Sequence, residues 1–198
     1  MDIIKDCFKA IKIIVVLWII TAVIYPLIIL GVGQNFFKYQ ANGSIMVNLE
    51  SKPIGSYLIG QQFRSDKYFQ GRPSAIRYSQ GKSVRSTGIS GGSNFAPSNK
   101  DLVSRVVEQA NKLRDENVES LPELIYTSGS GLDPHISVKA AIEQIDRIAR
   151  NRNLQPKEVK EVVDQYIDGR FLWIFGEPGV NILRLNYFLD LRDVNKIS

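Results

Sequence analysis

The sequence predicts an α+β fold: one N-terminal transmembrane helix, then a single extracytoplasmic domain of about three helices and a small sheet that includes a C-terminal hairpin. Three observations predict it. Residues 13–32, IIVVLWIITAVIYPLIILGV, carry no charge, and at 1.5 Å per residue they cover roughly 30 Å, the thickness of a bilayer's hydrocarbon core. Three later segments repeat their apolar residues at helical spacing. Extended apolar stretches flank those helices on both sides, an order that suits segregated helices and strands better than a doubly wound sheet.

The span comes first. Lys5, Lys9 and Lys12 precede the apolar run, and Lys38 is the basic residue close behind it. This bias predicts a cytoplasmic segment 1–12, a span over 13–32 and an extracytoplasmic domain over 33–198. A secretory signal peptide is the competing interpretation. The apolar run is longer than the usual 7–15 residues of such a peptide and lacks an Ala-x-Ala site, so retention as an anchor is expected. Pro26 is tolerated in a spanning helix and Gly31 and Gly33 permit close helix approach.

The remainder suits one core rather than two domains. The one cysteine, Cys7, precedes the span, so no disulfide is expected in the outer domain. The net charge is +5, concentrated in Arg64, Lys67, Arg72, Arg77, Lys82 and Arg85 against Asp66. Such a stretch fits a surface facing anionic headgroups, or docking to acidic loops of a membrane partner. Nucleic acid is excluded for a domain outside the cytoplasm.

Residues 45–50 (IMVNLE) and 57–63 (YLIGQQF) read as strands or extended segments. Residues 70–99, rich in Gly, Ser, Pro and Asn, read as a long ordered loop. A helix follows, with Ser98 and Asp101 as its capping box and Leu102, Val103, Val106, Val107, Ala110 and Leu113 as its apolar face. Residues 123–126 read as extended. Ser137 is placed to cap a second helix striped by Val138, Ala141, Ile142, Ile145, Ile148 and Ala149. Pro156 opens a third, with Gly169 as its stop. Residues 171–175 and 180–189, joined by Gly176-Glu-Pro-Gly179, read as the strands of the hairpin. No internal repeat is visible.

Three patterns carry possible chemistry. Gly88-Ile-Ser-Gly-Gly92 matches a nucleophile elbow, with Asp133 and His135 following, which defines one alternative function, a membrane-anchored extracytoplasmic serine hydrolase. The buried strand before the serine and the helix after it are lacking. Ser79-Gln-Gly-Lys82 matches S-x-x-K, but Gly81 sits where a helix is needed. Ser128, Gly129, Ser130 and Gly131 form a candidate phosphate cradle. That stretch is no Walker loop and has too few ligands for a metal site. A tight turn tied by Asp133 and His135 is the structural counterpart. Ile89-Ser-Gly-Gly-Ser93 is faintly similar to a transporter-ATPase signature loop without its Gln.

Taken together, the blocks Gly60-Gln-Gln-Phe63, Tyr68-Phe-Gln-Gly-Arg-Pro-Ser74, Gly92-Ser-Asn-Phe-Ala-Pro-Ser-Asn99, Thr127-Ser-Gly-Ser-Gly-Leu-Asp-Pro-His-Ile-Ser137, Gly176-Glu-Pro-Gly-Val-Asn-Ile-Leu183 and Leu185-Asn186 make the chain resemble one family. That family is the C subunit of the Kdp potassium-transporting P-type ATPase (KdpC). The resemblance covers nearly the whole chain; Gly179, where an arginine is common, and Ser79, where an asparagine is usual, depart from it. It implies an accessory subunit with no catalytic site, metal or cofactor of its own, ATP and K⁺ being handled by the complex. The implied partners are a channel-like potassium-binding subunit, a P-type ATP-hydrolysing subunit and the lipid of the plasma (inner) membrane. The implied role is to stabilise that importer and, as a catalytic chaperone, to raise its ATP affinity. Arg72, Asn94, Asp133 and His135, from the matched blocks, are the candidate partner contacts. The positive-inside placement conflicts with direct ATP contact by the outer domain, so an effect on nucleotide affinity would be coupling through the membrane subunits.

Overall fold

The computed structural model describes residues 3–76 and 89–197, with side chains described up to residue 192. The chain divides into two units, one ending at Ile45 and the other Met46–Ser198.

In the first unit the apolar run lies inside a longer helical stretch, Ile3–Phe36. It comprises α1 (Ile3–Ile19), a π turn (Ile20–Ile24) and α2 (Tyr25–Phe36). The widened turn sits just before Pro26, which has no N–H to donate and whose ring crowds the preceding turn. Polar residues in the stretch satisfy themselves locally: Thr21 Oγ1 donates to Leu17 O at 2.8 Å and Asn35 Nδ2 to Gly31 O at 2.7 Å. Not one side chain of α1 or α2 is buried, so this face awaits lipid or other helices. A short turn of helix, α3 (Lys38–Ala41), ends the unit.

Next, β1 (Ile45–Val47) pairs with β2 (Pro53–Ser56). The strand lies earlier than the 57–63 stretch expected to form it, because Asn48 gathers the connecting turn: its Oδ1 accepts from Glu50 N and Lys52 N. The second unit's scaffold is α4 (Lys100–Asp115), a turn α5 (Pro122–Ile125), β3 (His135–Ser137), α6 (Val138–Glu143), α7 (Ile145–Arg152), α8 (Pro156–Gln165), β4 (Ile167–Asp168), β5 (Gly179–Asn181) and α9 (Ile182–Ile197). The sheet runs β3-β5-β4, all antiparallel, with Ile136 opposite Val180 and Ile167 opposite Val180. Its buried Ile136 and Val180 join Ala140, Ile148, Val159, Val163, Leu185 and Leu189 in one apolar core.

The mixed fold and apolar N-terminal helix stand as expected, but several elements differ. Asn99, not Ser98, caps α4, its Oδ1 accepting from Asp101 N and Leu102 N. Residues 123–126 are not extended, since Pro122 sits at the first turn of a helical turn. Ser137 does cap α6, Oγ accepting from Ala140 N at 3.1 Å. The second helix is broken at Gln144, whose amide is drawn into the core. Helix α8 stops at Tyr166, before Gly169. The hairpin exists with other strands: β4 and β5 pair, residues 171–175 form a tight turn closed by one bridge, and Ile182 onward is helix. Asn181 starts that helix by accepting from Arg184 N at 3.1 Å. The apolar run 182–189 thus fits a buried helix as well as a strand, and the cap decides.

One irregular segment is held almost entirely by side chains. Phe69 is wholly buried, and the buried Asn186 completes both its backbone groups, Oδ1 accepting from Phe69 N (2.8 Å) and Nδ2 donating to Phe69 O (3.0 Å). Gln144 does the same for Gln70, at 2.8 and 3.0 Å. Each amide replaces a strand neighbour, satisfying a donor and an acceptor that are costly to bury alone. Arg147, 3% exposed, donates to Asp66 O, Tyr68 O and Gln144 Oε1. Burial pushes its guanidinium pKa down, opposed by the Glu116 and Asp66 carboxylates.

Candidate functional site

The Gly/Ser-rich loop at 128–131 is the centre of a hydrogen-bond knot rather than an open cradle. Ser128 N donates to Pro73 O (2.9 Å), Gly131 N to Ser128 O (3.2 Å) and Leu132 N to Ser130 Oγ (3.1 Å). Its carbonyls are engaged as well: Ser74 Oγ donates to Gly131 O (2.7 Å), Gly91 N to Ser130 O (2.8 Å) and Gly60 N to Leu132 O (2.8 Å). Three sequence-distant segments are fastened here. Gly131 is a steric necessity and Gly92 is tightly placed, whereas a Cβ on Gly129 would meet nothing within 4 Å. A Cβ on Gly131, whose φ is +68°, would stand 2.7 Å from Gly91 O, and one on Gly92 3.1 Å from Gly129 O. Two small-residue loops pack backbone to backbone here, and at Gly131 the approach leaves no room for a Cβ.

Asp133 makes an Asx turn, Oδ1 accepting from His135 N at 3.1 Å, while its Oδ2 pairs with Arg72 Nη1 at 3.2 Å. His135 opens β3, and strand pairing brings it to groups that sequence inspection did not connect. Its Nε2 lies 3.7 Å from Asp168 Oδ2, and its ring meets Tyr57 edge-on at 6.0 Å. Asp168 accepts from Tyr57 OH (2.6 Å) and from Arg184 Nη1 (3.2 Å). Burial, then the hydrogen bond to Asp168, pushes the Tyr57 phenol above its usual pKa, with Arg184 opposing. A lone histidine signals that a partner is needed. Asp168 and Arg184 are identifiable only once the β3-β5-β4 register is known.

A cleft of about 490 Å³, reached through Arg72, lies between the 61–74 segment and α4. Arg64, Arg72, Arg105 and Lys112 line it against Glu108, so the basic stretch contributes two of its residues to a positively charged hollow. Lys67 stays exposed, whereas Arg77, Lys82 and Arg85 lie outside the described residues. Arg105 is braced by Ser93 Oγ (3.2 Å) and packs 5.3 Å over Phe95. Lys112 Nζ donates to Gln70 Oε1 at 3.1 Å. Asn94 is exposed with φ +51°. The structure therefore brings Arg72, Asp133 and the 128–131 loop together, with His135 carried on the strand that follows.

Serine chemistry finds no such assembly. Ser90 is exposed and its Oγ donates to Ser130 O at 3.1 Å. His135 faces Asp168, and Asp133 faces Arg72. Among the described residues, then, the three candidates are not linked as nucleophile, base and orienting carboxylate, as acyl chemistry requires. Gly88 and Ser79-Gln-Gly-Lys82 lie outside the described residues.

Among the described residues one apolar helix is long enough to cross a bilayer, and with the small α+β domain that follows it, locked by side-chain amides, it marks a membrane-associated protein. Comparison with known proteins makes this specific. Residues 7–191 match the family model described as K⁺-transporting ATPase, c chain. A potassium-transporting ATPase KdpC subunit from Anabaena sp. (strain L31) is 63% identical over 195 residues, covering 98% of both chains. KdpC subunit 2 of Nostoc sp. (strain PCC 7120) is 60% identical, covering 99% of this chain and 98% of its own. The KdpC subunit of Caldanaerobacter subterraneus subsp. tengcongensis is 40% identical, covering 97% of each. The chain belongs to the KdpC family of K⁺-transporting ATPase subunits.

Proposed function

We propose that the chain is the non-catalytic accessory subunit of an ATP-driven potassium importer in the plasma membrane. In this role segment 1–12 is cytoplasmic, residues 13–32 cross the bilayer once and residues 33–198 lie outside. The outer domain braces a channel-like potassium-binding subunit and a P-type ATP-hydrolysing subunit, using Arg72, Asn94, Asp133 and His135 among its contacts. ATP and K⁺ are handled by the complex, and the cationic cleft disfavours K⁺ coordination on this chain.

The observation that carries this reading is the Lys5, Lys9 and Lys12 cluster ahead of the apolar run, which favours a cytoplasmic N-terminus. The internal use of Ser128 N, Gly131 N and Leu132 N supports a fastening role for the 128–131 loop over phosphate binding. A gain in nucleotide affinity is then a coupling free energy passed through the membrane subunits, typically about 1–3 kcal/mol.

Three measurements test it. Protease added to intact spheroplasts is expected to digest the outer domain, and survival of that domain beside a degraded external marker overturns the orientation. Complex purified without this chain is expected to fall apart or to need roughly 5–150-fold more ATP for half-maximal hydrolysis. Photoreactive ATP labelling of the outer domain that is lost on changing residues 128–131 overturns the indirect route.

A further inference from the structure

The turn between β4 and β5 presents five consecutive large apolar side chains to the outside. Phe171, Leu172, Trp173, Ile174 and Phe175 are 71%, 64%, 93%, 71% and 61% exposed. A contiguous patch of this kind on a folded domain marks an interaction surface. The tip is not a frayed loop. Phe171 N donates to Phe175 O at 2.8 Å and Phe175 N to Phe171 O at 2.9 Å. Ile174 N donates to Phe171 O and Trp173 N to Arg170 O, both at 3.2 Å. Leu172 and Trp173 occupy the left-handed region, with φ of +52° and +64°. Bulky residues adopt that region at a cost of about 1–2 kcal/mol each, and here no buried contact offsets it. The neck is closed by Arg170, which donates to both carboxylate oxygens of Glu177 at 3.0 Å. No charge lies between the two.

We propose that the 171–175 tip is a membrane wedge, lodging its apolar side chains at the headgroup–hydrocarbon boundary of a bilayer. Two features favour lipid over an apolar pocket on a partner protein. Hydrocarbon offers no hydrogen bonds, so an inserted backbone must satisfy itself, and four of the five tip amides donate within residues 170–175. Tryptophan is suited to that boundary layer, and phenylalanine and leucine bury their apolar faces just beneath it. The proposal rests on the membrane anchorage proposed above, since a tethered domain meets its bilayer at high effective concentration. Insertion of this tip would give the outer domain a second, independent hold on the membrane.

The test uses the full-length chain with Cys7→Ser, so that one introduced cysteine carries an environment-sensitive fluorophore. Ile174→Cys reports the tip and Val15→Cys reports the N-terminal helix. Each labelled chain is reconstituted into phosphatidylcholine vesicles containing nitroxide lipids, alone and assembled with the other subunits. Emission from both positions is expected to fall about twofold or more relative to vesicles without nitroxide. Quenching at Val15→Cys with none at Ile174→Cys overturns the wedge and leaves the anchor standing. A tip shielded from aqueous quencher only after assembly, and still not quenched by lipid, overturns it in favour of a protein pocket. Absence of lipid quenching at both positions overturns anchorage and wedge together.

Discussion

The 128–131 loop and the 171–175 tip are opposites in composition and in use. The first is made of glycine and serine, with Ser128 and Gly131 buried, and its backbone groups fasten Pro73, Ser74 and Gly91. The second is apolar throughout and stands outside the core with its backbone closed upon itself. Composition alone suggests a ligand cradle for the first and a buried strand for the second. The difference teaches that a segment's role follows from where its hydrogen bonds go rather than from its polarity.

The contrast is sharpened most by removing an inward polar clasp. Asn186→Leu strands both backbone groups of the fully buried Phe69, so a loss of about 2–5 kcal/mol is expected in urea unfolding, with m unchanged. Gly131→Ala meets Gly91 O at 2.7 Å from a positive φ and should cost about 2–3 kcal/mol, enough to lower the thermal midpoint by several degrees. Ser74→Ala removes one hydrogen bond to Gly131 O and should cost about 1 kcal/mol. A smaller effect is expected from alkali. Burial foremost, then the Asp168 and Asp190 carboxylates, raises Tyr57 and Tyr68 above the usual 10.0. The unfolded chain thus releases these protons first, and stability falls as pH climbs above about 10. Tyr57→Phe with Tyr68→Phe should flatten that decline in unfolding midpoints measured at pH 9 to 11. At the other pole, Trp173→Ser should change stability by less than about 0.5 kcal/mol, because the side chain packs against nothing buried. A large loss there would break the comparison.

Much of the frame was legible in the sequence because it rests on periodicity. The uncharged run, the stripe of α4 and the Ser137 cap each depend on neighbours within one turn of helix. What escaped depends on distant partners. Gln144 breaks a helix because Gln70, 74 positions away, needs its amide. Residues 182–189 are helical because Asn181 caps them, although the run is apolar enough for a strand. Of the candidate site, Arg72 and Asp133 were named and do pair, whereas Asp168 joins His135 through sheet register, Tyr57 through its carbonyl held by Asn181 Nδ2, and Arg184 from α9. The 171–175 run reads as a strand because apolar clusters normally seek the interior; its exposure is the departure that calls for an outside partner.

The widened turn at Ile20–Ile24 has a geometric corollary. A π turn accommodates one residue more than an α turn, so the azimuth of every later side chain is offset by about 100° from an uninterrupted helix. Ridges on either side of Pro26 therefore aim in different directions. A neighbouring helix lying straight alongside would grip one stripe in the lower half and a different stripe in the upper half. Deleting a single residue from Ile20–Ile24 would let the helix run as uninterrupted α while leaving the two halves in the relative azimuth that the π turn now gives them.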